Sequence, residues 1–193
     1  MGRCKEFEES VVLQKAMELF WKKGYEKTSM SDLVEHMGIH RRSLYDTFGD
    51  KHTLFLKTLD CFGEFIRARL MSEISHAETA RQAIQFIFDL MIEGSGDDRH
   101  LGCLFVNSAA ELASRDKEVN EKTEEAFIRT EHLLADLIRK GQQTGEFSCD
   151  YDAEVLAESL HNTLLGIRLL SRTSASKEKL HRIADFSLAI LDK

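Results

Sequence analysis

The chain has 193 residues, 42% hydrophobic and 31% charged, with no proline and a net charge of −7. That is enough apolar material for one small and one larger domain, and without proline its helices can run unbroken. No stretch nears the roughly 18 apolar residues of a membrane span, Met1 to Glu6 has no apolar signal core, and Cys4, Cys61, Cys103 and Cys149 lack the CxxC spacing of a zinc site.

Residues 1–51 hold nine Lys/Arg and nine Asp/Glu, whereas the remaining 142 hold 17 and 24. The acidic surplus therefore lies in the C-terminal part, which leaves a locally basic face in the N-terminal part free for DNA. Val12, Leu13, Ala16, Met17, Leu19 and Phe20 recur at helical steps and predict an amphipathic helix over 8–23 that Gly24 stops. Thr28 or Ser29 can cap a second helix of about two turns before Gly38, with Asp32 three residues after Ser29 as in a capping box. A third helix is expected over 41–48, and a longer one from near Asp50 to about Ser75. Two short helices around a glycine turn outline a helix-turn-helix. Further helices are expected at about 77–94, 101–114, 117–144, 151–172 and 176–192. The fold class read from this pattern is all-α, about nine helices: a three-helix helix-turn-helix domain (1–51) and a helical-bundle sensing and dimerisation domain (52–193).

In the first unit stand Phe20-Trp21-Lys22-Lys23-Gly24-Tyr25, then Thr28-Ser29, Gly38-Ile39, Ser43-Leu44-Tyr45-Asp46-Thr47-Phe48 and Lys51. Their order and spacing closely resemble the DNA-binding domain of the TetR family of bacterial transcription regulators. The apolar residues Leu33, Val34, Met37, Ile39, Leu44 and Phe48 share one face, which leaves His40, Arg41, Arg42, Ser43, Tyr45, Asp46 and Thr47 on or near the outer surface. The resemblance implies phosphate contacts for Thr28, Ser29, Tyr45 and Lys51, and base readout for Arg41, Arg42, Ser43 and Asp46. Arg42, Asp46 and Thr47 depart from the small, histidine and aromatic residues common at these places, so the target sequence does not carry over.

Beyond residue 60 the resemblance implies a bundle with an internal ligand pocket and dimerisation through the last two helices. Phe62, Phe65, Ile66, Phe86, Leu90, Phe105 and Phe127 suit the walls of an apolar pocket, with Asn107, His132 and His161 as inward polar groups. Gly102-Cys103-Leu104 opens a helix, where the dipole is expected to lower the Cys103 thiol pKa. Leu156, Leu160, Thr163, Leu164 and Ile167, with Ile183, Phe186 and Ile190, are the expected dimer interface.

The expected protein is a cytoplasmic, homodimeric repressor released from a palindromic double-stranded operator by a small apolar or aromatic effector. The alternative is a thiol- or electrophile-sensing repressor acting through Cys103; a helical interaction module or an enzyme is a remote third. No phosphate loop, HExxH or GxSxG is present. No enzyme activity, cofactor, metal or membrane contact is expected, and Asp97-Asp98 reads as a solvated charge pair.

Overall fold

A computed structural model describes residues 8–94 and 100–192; Cys4 and the Asp97-Asp98 pair lie outside the described residues. Within them the chain folds into α1 (Glu9–Lys23), α2 (Met30–Met37), α3 (Arg41–Phe48), α4 (Lys51–Ile74) and α5 (Ala80–Glu93). There follow α6 (Leu104–Leu112), α7 (Lys117–Gln143), α8 (Ala153–Leu170) and α9 (Lys177–Leu188), with a final 3-10 turn at Ala189–Leu191. The described residues contain no strand.

Six of these helices begin at a residue whose side chain accepts a backbone N–H: Ser29, Asp50, Thr79, Asp116, Asp152 and Ser176. A cap of this kind is worth about 1 kcal/mol, so it fixes the start. Hydrophobic periodicity alone placed the starts of α5, α6 and α8 at residues 77, 101 and 151; they fall at Ala80, Leu104 and Ala153. At α5 and α8 the caps Thr79 and Asp152 override periodicity because the orphan N–H groups of the first turn need an acceptor, whereas α6 starts after Cys103 without a side-chain cap.

Two apolar clusters hold the molecule together. The lower one joins Phe20, Leu33, Leu44, Phe48 and Phe55 to Leu104, Phe105 and Leu112 of α6 and Val119 of α7. Edge-on aromatic pairs run through it, Phe20 on Phe55 and Trp21 on Phe62, both at 5.0 Å, then Phe62 on Phe105 at 5.5 Å. The upper one packs α5, α7, α8 and α9 around Ile84, Phe88, Ile138, Leu160 and Leu180. Because α4 runs from one cluster to the other, the two halves of the protein share a helix.

Candidate DNA-binding surface and ligand cavity

The start of α2 is locked by a reciprocal cap. Ser29 Oγ accepts from the Asp32 amide at 3.1 Å, while the Ser29 amide donates to Asp32 Oδ2 at 2.8 Å. Lys23 Nζ donates to the other carboxylate oxygen at 2.8 Å; this bond first, and those from Ser29 next, hold the Asp32 carboxyl far below the usual range. Gly38 ends the helix in the left-handed region, φ +70°, which glycine alone enters without strain. The chain turns there, and α3 lays Leu44 and Phe48 into the same cluster as Leu33 and Met37.

That packing turns His40, Arg41, Arg42, Tyr45 and Asp46 to solvent, with Ser43 and Thr47 half-buried. α3 starts at His40 with no side-chain cap and no acidic residue in its first turn. Its first amides and two guanidinium groups thus face outward together, an arrangement suited to phosphate. Arg42 Nε lies 3.6 Å from Asp46 Oδ2, so the acidic group that would repel DNA is balanced on its own helix. Lys51 Nζ sits 4.2 Å from the centre of the Tyr25 ring, which steadies it at the start of α4. Thr28 is placed otherwise than expected. Its side chain is buried and its hydroxyl donates to Gly24 O at 2.6 Å, so it closes the α1–α2 turn and offers nothing to a phosphate.

Above this unit a cavity of about 870 Å³ opens between α4, α5, α6, α7 and α8. Phe62, Ile66, Cys103, Phe105, Phe127, His132 and His161 line it. Four expected residues do not. Phe65 is exposed, with the Arg69 guanidinium 5.7 Å from its ring centre. Asn107 Nδ2 donates to Leu101 O at 2.8 Å and braces the entry to α6. Phe86 and Leu90 lie off the cavity because α5 presents Ile87 and Met91 instead, a face one residue round the helix. His161 Nδ1 meets Glu131 Oε1 at 2.8 Å, so it is a satisfied inward group.

Among the wall residues missed by sequence reasoning is Arg168. It is buried; Nη1 donates to Met91 O at 2.6 Å, and Nη2 donates to Gly102 O. Burial draws its pKa below the usual guanidinium range. Helical spacing could have found it, since Arg168 is seven residues from His161 and four from Leu164, all on the inner face. Cys103 caps α6 beside it. Burial raises the Cys103 thiol pKa, against the opposing pull of Arg168 and the amides of Val106 and Phe105. The expected lowering by the helix start is therefore reversed, because desolvation outweighs the dipole. Among the described residues no three His, Cys, Asp or Glu groups converge as metal ligands, and no helix is long and apolar enough to cross a membrane.

A family model described as bacterial regulatory proteins, tetR family, matches residues 12–58, and one described as the tetracyclin repressor-like C-terminal domain matches residues 80–186. The chain belongs to the TetR family. It is 34% identical, over all of both chains, to the uncharacterized HTH-type transcriptional regulator YezE of Bacillus subtilis. It is 30% identical to the HTH-type transcriptional repressor ComR of Escherichia coli, covering 98% of this chain and 91% of that one. Among solved structures it is similar to a cysteine mutant of the TetR-family regulator CifR complexed with 26-bp operator DNA (TM-score 0.86, 27% identity, 98% of this chain and 100% of that one). This TetR-family protein is thus a helix-turn-helix transcription regulator and not an enzyme.

The last two helices of this TetR-family regulator correct one expectation. Leu156, Leu160, Leu164 and Ile167 are buried in the chain's own upper cluster. The apolar groups left outside are Val155 and Leu169 on α8, exposed by 57% and 58%, Phe186 on α9, exposed by 85%, and Ile190 in the 3-10 turn after it, exposed by 42%. Gly166 lies between the first two with nothing within 4 Å of where a Cβ would stand. Ile183 packs partly on the core, and Thr163 Oγ1 donates to Ser187 Oγ at 3.3 Å between the helices. α8 is apolar on two sides, so spacing alone does not say which side turns inward.

Proposed function

We propose that this TetR-family regulator is a homodimeric repressor whose hold on a palindromic operator is relieved when a small molecule enters the α4–α8 cavity. The observation that carries this reading is the direct bonding of the cavity wall to the DNA-reading unit through α6 and the turn after it. Both oxygens of Glu111, on α6, accept amides of the α1–α2 turn, from Tyr25 at 3.1 Å and Glu26 at 2.9 Å. Next to it Arg115 Nη2 pairs with Glu26 at 2.9 Å, and Asp116 meets His52 Nε2 at 2.8 Å. A ligand that displaces Phe105 or Cys103 must shift α6, and α6 cannot shift without dragging the α1–α2 turn and the start of α4.

Dimerisation is supported by the exposed face of Val155, Gly166, Leu169, Phe186 and Ile190, which two copies could bury as an isologous four-helix contact. Two recognition helices are needed to read half-sites about 34 Å apart, and changing that spacing is how the effector would release DNA. ComR's designation as a repressor, and the operator bound to CifR, support the sign and the target. The raised Cys103 pKa weighs against thiol sensing, since the thiolate is the reactive form.

The test is selection of bound fragments from the source genome, followed by anisotropy titrations. Arg42→Ala and Tyr45→Ala should each weaken operator binding by about 1–3 kcal/mol, and sedimentation should still show dimers. Absence of any specific duplex, or loss of the dimer in these variants, would overturn the assignment.

A further inference from the structure

Granted that the cavity holds the effector, we infer that this effector is an amphipathic anion, its acid group seated against Arg168 and its apolar body along Phe62, Phe105 and Phe127. The other arginines and the lysine on the cavity wall are already matched. Arg67 pairs with Glu64, Lys122 with Asp60, and Arg129 with Glu125 at 2.7 Å. His161, the buried ring on the same face of α8 as Arg168, has Glu131.

Arg168 differs. It lies deep on the wall, 7% exposed. A guanidinium has five N–H donors, and the two bonds Arg168 makes go to neutral carbonyls. Its Nε has no partner, and Cys103 is the sole charge neighbour that bears on its ionisation among the described residues. Met91 O lies in the last turn of α5, whose partial negative charge matches only part of a full cation.

A buried cation without a counter-charge is among the costlier features a fold can carry. A neutral ligand would dry the cavity and leave that cost in place. A carboxylate would remove it through charge-assisted hydrogen bonds, which are roughly twice as strong as neutral ones. The same contact supplies a signal. Arg168 holds the carbonyl of Gly102, just before the cap of α6. An anion that draws the guanidinium into the cavity loosens that tie, and α6 carries Glu111 to the DNA-reading unit.

The experiment uses the full chain and two pairs of probes that differ only in charge, octanoate against octanamide and 4-phenylbutyrate against 4-phenylbutanamide. Binding is read by calorimetry and by emission of Trp21, the single tryptophan, which stands edge-on to Phe62 at 5.0 Å. Each carboxylate is expected to bind at least about tenfold more tightly than its amide, and Arg168→Gln to bring each pair together. Should that variant not fold, the comparison in the unmutated protein decides alone. Equal or tighter binding of the amides overturns the anion and leaves the effector cavity standing. Failure of all four compounds to bind overturns the cavity reading, and the anion with it.

Discussion

Gly141 shows how narrowly single residues are constrained. A Cβ there would lie 2.2 Å from the Phe147 ring, which is itself fully buried against α7. Gly141→Ala should therefore destabilise the upper cluster by about 1–3 kcal/mol through overpacking, measurable as a lower midpoint in urea. At the same scale, Asp32 ties pH to the DNA-reading unit. Its folded pKa is depressed, chiefly by Lys23 and then by Ser29, so its contribution is fully present above the ordinary carboxylate pKa. It is lost as pH falls from that range through the folded value. Asp32→Asn should lower the melting temperature at pH 7, and the gap from the unmutated protein should close in strong acid. A gap that persists there would show that the cap does not act through its charge.

Among the elements, α2 and α6 carry the sharpest expectations. Ser29→Ala removes the acceptor for the Asp32 amide and should cost about 1 kcal/mol of stability. It removes a hydroxyl at the edge of the reading surface as well, so operator affinity should fall more than stability alone explains. Glu111 on α6 is a test of coupling. Replacing it with Ala leaves the Tyr25 and Glu26 amides without their acceptor and should cost about 1–3 kcal/mol. If α6 is the link, operator affinity in Glu111→Ala should become less sensitive to effector while effector binding itself persists, as calorimetry and anisotropy together would show. An unchanged response to effector would place the link elsewhere.

For the whole molecule, the proposed dimer rests on the exposed apolar face of α8, α9 and the turn that follows. Phe186 is 85% exposed and is the largest apolar group on the face that a second copy would cover in the proposed dimer. Phe186→Glu would set like charges against each other across an isologous contact. The variant should sediment as a monomer with unchanged helicity, and its operator affinity should drop because a lone recognition helix reads one half-site. A dimer that survives this change would move the interface away from α9.

The residue pattern from Phe20 to Lys51 determined the helix-turn-helix by itself, because its signals are local. A glycine must stand at the left-handed turn of Gly38, a hydroxyl must cap at Ser29, and the apolar residues of two short helices have one face each. The helix count and most of the boundaries followed from the same local chemistry. Tertiary structure decided what depends on which of two available faces turns inward. It sent Leu156, Leu160, Leu164 and Ile167 to the chain's own core and left Phe186 and Ile190 outside. By a turn of one residue it put Ile87 and Met91 on the cavity in place of Phe86 and Leu90. It closed Thr28 onto Gly24 O, and it surrounded Cys103 and Arg168 with enough protein to reverse the first expectation and create the second. Burial is a property of the neighbours, and here those neighbours come from helices distant in the chain.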